Sequence, residues 1–281
     1  MQVFTTPAAC SAWSDAQRVA GLRIGLVPTM GALHEGHLAL AAEARRHADV
    51  VALTIFVNPL QFNRPDDFDA YPRPIDDDLA LCTANGIDAV YAPTASAMYP
   101  PGFETHVQPG PLADVLEGAQ RPGHFLGVTT VVAKLFGATR PHVAVFGQKD
   151  FQQLAIIRRM TTDLDMGIDI VGLPTVREGD GLALSSRNRR LTPPQRAAAV
   201  CVPRSLQAIE RALAGGERDT AVLAAQARAV VEAEPLARFE HLEIVHPDTL
   251  QPLTTVAERA VAVTAVWFGD VRLIDNVLLS T

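Results

Sequence analysis

Lysine is almost missing from this chain of 281 residues: Lys134 and Lys149 are the only two among 24 basic side chains, and the rest are arginine. A lysine kept against that background reads as a compact point charge that a planar guanidinium does not replace. Cysteine is scarce too. Cys10, Cys82 and Cys201 are odd in number and far apart, which leaves no disulfide framework and no zinc spacing and fits reduced thiols in a cytosol. No apolar run approaches the length of a membrane span. The N-terminus has no basic region leading into an apolar core, so no secretory signal is expected. The net charge of −7 excludes a general binder of nucleic acid or of anionic membranes, although local fields still decide the fate of a small anion.

What remains is an ordinary globular composition, 48% hydrophobic and 20% charged, long enough for one large domain or two modest ones. Apolar runs that read as strands, Ile24–Pro28, Val50–Val57, Ala89–Ala92, Val143–Phe146 and Ile168–Leu173, alternate with helical patterns over Gly36–His47, Ile75–Asn85, Gly127–Ala138 and Phe151–Asp163. That alternation predicts an α/β fold, a Rossmann-like parallel sheet with helices on both faces. Beyond Val176 the order changes. Helices are expected over Gln195–Ala214 and Asp219–Val231, then strands over His241–Val245, Ala260–Phe268 and Arg272–Leu278, which together predict a smaller C-terminal α+β domain. The expected division is a Rossmann-like domain over 1–176 and a lid domain over 177–281.

The most informative stretch is Pro28-Thr29-Met30-Gly31-Ala32-Leu33-His34-Glu35-Gly36-His37-Leu38. It lies where a strand passes into a helix, the sheet edge at which α/β proteins bind ligands. Free N–H groups at the helix start attract anions, and an imidazole pair beside them suits a polyphosphate whose charge grows as pyrophosphate departs. Two other readings stand beside this one. A His-x-x-His pair can ligate a metal, but no third ligand is evident, and the histidines can simply cap the helix.

Other clusters repeat the pattern. Phe56-Val57-Asn58-Pro59-Leu60-Gln61-Phe62 places neutral amides after the second strand, where Asn58 reads first as a loop amide satisfying its own backbone. Phe146-Gly147-Gln148-Lys149-Asp150 brings Lys149 to a strand end, with Asp150 free to cap a helix or meet a ribose or metal. Gln152 and Gln153 open the next helix. Leu184-Ser185-Ser186-Arg187-Asn188 reads as a phosphate-gripping loop or as a polar linker. The triplet Asp76-Asp77-Asp78 suits a helix start by its interaction with the helix dipole, with Mg²⁺ binding as the alternative.

Together with Tyr71-Pro72-Arg73, Pro174-Thr175-Val176-Arg177-Glu178 and Arg272-Leu273-Ile274-Asp275-Asn276, these motifs resemble the pantothenate synthetase family, in the family's order and over nearly the whole chain. The resemblance implies a nucleotidyltransferase-type Rossmann enzyme that is cytoplasmic and homodimeric. It implies that ATP, (R)-pantoate and β-alanine give pantothenate, AMP and pyrophosphate through a pantoyl adenylate, with Mg²⁺.

By the same resemblance His37, His34, Lys149 and Arg187 are catalytic, with His37 the acid. ATP is held by Pro28, Thr29, Met30, His34, Gly36, His37, Gly147, Lys149, Asp150, Val176, Leu184, Ser185, Ser186 and Arg187. Pantoate meets Gln61 and Gln153, β-alanine meets Gln61, and Asp77 and Asp78 are the candidate metal ligands. Gln148, Leu184, Ala39 and Leu81 depart from residues common in the family, and the last weakens the metal assignment. A nucleotidylyltransferase acting on a phosphorylated alcohol would want a basic pocket, where Asn58, Gln61 and Gln153 offer a neutral one. A catalytically silent nucleotide sensor would not need His34, His37, Lys149 and Arg187 together.

Overall fold

The computed structural model describes residues 1–63 and 68–281. The chain divides into two compact units, Met1–Gly147 with Gln152–Leu173, and Gln148–Phe151 with Pro174–Thr281.

In the first unit the described strands form a six-stranded sheet in the order β1-β4-β3-β2-β5-β6, every pair parallel. The strands are β1 (Gln2–Phe4), β2 (Ile24–Thr29), β3 (Val50–Ile55), β4 (Ala89–Tyr91), β5 (Val143–Gly147) and β6 (Asp169–Leu173). Sequence pattern located all of these but β1, an edge strand whose Gln2 and Val3 are exposed and belong to no apolar run. Successive residues point to opposite faces. Ile24, Leu26, Ala52 and Ala144 pack with Cys10, Trp13, Val132, Leu135 and Ile157, while Val27, Val51, Leu53 and Val145 pack with Ala41, Ala44 and Cys82. Both faces are therefore covered. On one side lie α1 (Pro7–Val19), α4 (His124–Thr139) and α5 (Phe151–Asp163), and on the other α2 (Glu35–His47) and α3 (Ile75–Ala84). The fold is Rossmann-like, and the strand order reverses direction between β2 and β5, so loops leaving those two strands flank the topological switch point.

The helix α1 went unread in the sequence although it starts on a recognisable signal. Pro7 occupies its first turn and the Thr6 hydroxyl accepts the Ala9 N–H. The helix α4 is buried on almost every side, which explains why its pattern is continuous rather than amphipathic. It approaches the turn Pro59–Gln61 so closely that a Cβ on Gly127 would lie 2.3 Å from the Leu60 carbonyl oxygen.

In the second unit, α6 (Pro193–Ala198), α7 (Cys201–Ala214) and α8 (Thr220–Glu232) pack against an antiparallel sheet β7-β8-β9, formed by Arg238–Val245, Arg259–Phe268 and Val271–Ser280. The single helix expected over Gln195–Ala214 is in fact two. Pro203, in the first turn of α7, has no N–H and its ring excludes a helical carbonyl four residues earlier, at Ala199, so the chain restarts at Cys201.

Gly127→Ala sets two effects against each other. Alanine gains roughly 1 kcal/mol in helix propensity, but the new methyl meets backbone that cannot rotate away, an overpacking cost of about 1–3 kcal/mol. The predicted outcome is net destabilisation with displacement of the Pro59–Gln61 turn, read as a lowered midpoint in thermal unfolding. An equal or higher midpoint contradicts it.

Candidate active site

The histidine loop begins where β2 ends. Thr29 donates its hydroxyl to the Thr54 carbonyl at 2.6 Å and accepts the Gly31 N–H at 3.1 Å. Gly31 and Ala32 then take positive φ, +82° and +51°, the first natural for glycine and the second rare for a residue with a Cβ. A buried carboxylate holds this turn: Asp78 accepts the Ala32 N–H at 2.9 Å and the Leu33 N–H at 2.7 Å, one on each oxygen, and is only 2% exposed.

His34 is the N-cap of α2. Its Nδ1 accepts the Gly36 N–H at 3.1 Å, and the His37 Nδ1 accepts the His34 N–H at 3.3 Å, so the two rings form a capping box with centroids 4.1 Å apart. The capping alternative read from the sequence is real, and it does more than close the helix. A backbone N–H can only donate, so both Nδ1 atoms accept and each neutral ring carries its proton on Nε2. The cap thus sets the tautomer and turns each Nε2 into a donor at a helix N-terminus, where anions are favoured.

Neutral amides lie at the end of β3. Asn58, 1% exposed, makes the local turn expected of it by accepting the Leu60 N–H at 3.2 Å. It also donates to the Gly127 carbonyl and to Gln61 Oε1, both at 3.0 Å, and accepts the Tyr99 hydroxyl at 2.8 Å. Gln61 Nε2 stands 3.2 Å from the Met30 sulfur, which brings this amide to the histidine loop. The two glutamines that open α5 differ: Gln152 is buried and pins the backbone of Leu112, Val115 and Glu117, whereas Gln153 is half-buried.

The acidic triplet does open a helix. Both Asp78 oxygens are engaged by the histidine loop, while Asp77, one position earlier on α3, is exposed, so the pair does not converge on one point. Among the described residues no group of three or more His, Cys, Asp or Glu side chains could hold a metal. Each Asp78 oxygen accepts one backbone N–H, and Asp77 is exposed.

In the second unit, Lys149, Ser185, Arg187, Asn188 and Arg272 line one small cleft with Leu182, Ala183 and Asp275. Lys149 sits in the single turn that follows β5, 18% exposed at its side chain and 3.7 Å from the exposed Asp150 carboxylate. Asn276 holds that turn by donating to the Gln148 and Lys149 carbonyls at 2.9 and 2.8 Å. Its neighbour Asp275, 1% exposed at the side chain, takes a two-pronged ion pair from Arg177 at 2.7 and 3.0 Å. Ser185 caps the turn Ser186–Arg190 by accepting the Arg187 N–H at 3.2 Å, and the Val176 carbonyl accepts the Leu184 N–H at 2.9 Å. Pro28, Met30, Gly147, Leu184, Ser186 and Arg187 are all half-buried.

The Arg272–Asn276 motif carries no role by its sequence alone. Arg272 reaches the cleft and is gripped by Glu240 at 2.7 and 2.8 Å. The signal available was a pair of charged positions in an otherwise apolar strand. The Arg272 guanidinium, with help from the Trp267 indole N–H and against partial burial, holds the Glu240 carboxyl down at about 2.

A donor-rich helix N-terminus at the switch point of a Rossmann-like sheet defines an α/β enzyme that handles small anions. The family model for pantoate-beta-alanine ligase matches residues 2–278. The pantothenate synthetase of Moorella thermoacetica is 50% identical, with 99% of each chain covered. The crystal structure of pantothenate synthetase from Thermus thermophilus superposes with a TM-score of 0.92 at 45% identity, covering 99% of each chain. That of the Francisella tularensis pantoate-beta-alanine ligase, complexed with beta-gamma ATP and beta-alanine, gives 0.81 at 32% identity, covering 99% of this chain and 97% of that one. The chain belongs to the pantoate-beta-alanine ligase family and is a ligase.

Glu240 makes the second unit sensitive to acid. Its folded pKa, about 2, lies below its ordinary 4.5, so the ionised form stabilises the fold fully above about 4.5 and that contribution is lost as pH falls through about 2. Glu240→Gln is expected to lower the unfolding midpoint at pH 7, with the gap to wild type closing between pH 4.5 and 2 in an acid titration of stability. A gap that stays constant over that window argues against the ion pair.

Proposed function

We propose that the chain condenses (R)-pantoate with β-alanine at the expense of ATP, through a pantoyl adenylate. A pantoate carboxylate oxygen attacks the α-phosphorus, and the bond from that phosphorus to the bridging oxygen breaks to release pyrophosphate. The β-alanine amine then attacks the acyl carbon, AMP leaves with the carboxylate oxygen, and the amine gives up a proton. The observation that carries this reading is the histidine capping box, which aims two Nε2–H donors from a helix N-terminus. No covalent enzyme intermediate is needed, so catalysis rests on positioning and on neutralising the charge that develops on pyrophosphate.

His37 acts as the acid beside His34. In the second unit Lys149 and Arg187 supply compact and planar positive charge to phosphates, with Ser185, Ser186 and Leu184 forming the gripping loop. Pro28, Thr29, Met30 and Gly36 border the nucleotide in the first unit, and Gly147, Asp150 and Val176 meet adenosine. Gln61 holds pantoate with Gln153 and then β-alanine. Magnesium enters as the counter-ion of the ATP phosphates, because a small hard cation needs few protein ligands when phosphates supply its oxygens. The family likeness further leads us to propose a cytoplasmic homodimer, with an ATP- and pantoate-binding domain over 1–176 and a lid over 177–281.

Rapid-quench analysis tests the order of events. Pyrophosphate is expected from ATP and pantoate before any β-alanine is added, and His37→Ala is expected to slow that burst by about 10²–10³, the usual effect of removing one preorganised donor. The His37 ring also caps α2, so unchanged circular dichroism must accompany the measurement. Obligatory β-alanine, or a normal burst in the folded variant, would falsify the assignment.

A further inference from the structure

The directions of the hydrogen bonds around Asn58 can be assigned one at a time. The Leu60 N–H can only donate, so Asn58 Oδ1 faces it at 3.2 Å; the Gly127 carbonyl can only accept, so Asn58 Nδ2 faces that group at 3.0 Å. With the amide so oriented, the Tyr99 hydroxyl must donate to Oδ1, at 2.8 Å, and the second Nδ2 hydrogen goes to Gln61 Oε1, at 3.0 Å. Gln61 Oε1 is thereby held against Asn58 with one of its two lone pairs occupied. Its Nε2 turns toward Met30, on the histidine loop, 3.2 Å from a sulfur that is only a weak acceptor.

We propose that Tyr99 is a positioning residue: through Asn58 it locks Gln61 as a donor, so that this subsite reads oxygens. It would take the carboxylate or hydroxyl oxygens of pantoate, and the carboxylate of β-alanine rather than its amine. Binding β-alanine by its acid end leaves the nucleophilic nitrogen unencumbered. The inference rests on the activity proposed above.

Two observations support Tyr99 in this role. Its ring is packed tightly, with centroids 4.9 Å from Phe103 and 6.1 Å from Phe56 and the Lys134 ammonium 5.9 Å away, so the hydroxyl is presented from a fixed base. Burial pushes the phenol upward, which keeps it a hydroxyl donor at any working pH. Without that hydroxyl, Asn58 Oδ1 keeps a single partner and the grip on Gln61 Oε1 loosens, since members of such a chain strengthen one another.

Tyr99→Phe keeps the ring and its packing and removes only the donor. Its kcat/KM for pantoate in pyrophosphate release is expected to fall about five- to tenfold, the worth of one ordinary hydrogen bond, with KM for ATP unchanged. Added to Gln61→Ala, the same substitution is expected to have no further effect on pantoate, because the group it positions is gone. Wild-type kinetics in Tyr99→Phe, with or without a lowered unfolding midpoint, overturn the inference, as does full additivity in the double variant. A wild-type enzyme with no pantoate-dependent pyrophosphate release overturns the underlying activity instead, and this inference with it.

Discussion

The histidine loop depends on one buried carboxylate. Between β2 and α2 the chain turns through two left-handed residues, and a left-handed alanine costs about 1–3 kcal/mol unless its surroundings hold it there. Asp78 does so from another helix, taking the Ala32 and Leu33 N–H groups on separate oxygens. Gly31 is required beside it, because a Cβ there would stand 2.8 Å from Asp78 Oδ2. With the turn held, Leu33 is driven into the core, His34 arrives as the N-cap, and the two imidazoles fall into the tautomer that makes Nε2 a donor. Charged hydrogen bonds to backbone are about twice as strong as neutral ones, so a single aspartate can hold such a turn.

The same device recurs in the second unit. Asn276 grips two carbonyls of the Lys149 turn, while Asp275 is fixed by Arg177 and accepts the Asn276 N–H at 2.8 Å. In each unit a polar side chain that is itself buried captures the backbone of a loop, so the side chains on that loop are placed by main chain. Asn58 does this for the Gln61 turn, with Gly127 allowing the close approach of α4.

Local physics made much of this legible beforehand. Alternating apolar runs and amphipathic segments located β2 to β6 and the longer helices α2 to α5, because period and length are properties of consecutive residues, while the four-residue helices Ala95–Met98 and Glu117–Gln120 are too short to show one. The histidine loop was visible as glycines and imidazoles at a strand-to-helix junction. The break before Cys201 was equally local, since Pro203 lies in view, but the helical pattern on either side of it hid the stop. Asp78 shows the limit. As one of three acidic residues at a helix start it reads as a dipole partner or a metal ligand, and its actual partners lie 45 and 46 residues away. Asn58 likewise read as a self-satisfying loop amide, which its bond to Leu60 bears out, but Tyr99 and Gly127 are 41 and 69 residues distant. Partnerships over such separations are made by the fold and leave no mark in a local window.

In the proposed reaction this scaffold aims donors at a departing pyrophosphate while a carboxylate attacks the α-phosphorus. Isotope transfer tests that claim most directly. With pantoate carrying ¹⁸O in its carboxylate, mass spectrometry of the products after β-alanine is added should find one labelled oxygen in AMP and none in pyrophosphate. Unlabelled AMP, with the departing label found instead in pyrophosphate, orthophosphate or water, would contradict attack by the carboxylate at the α-phosphorus.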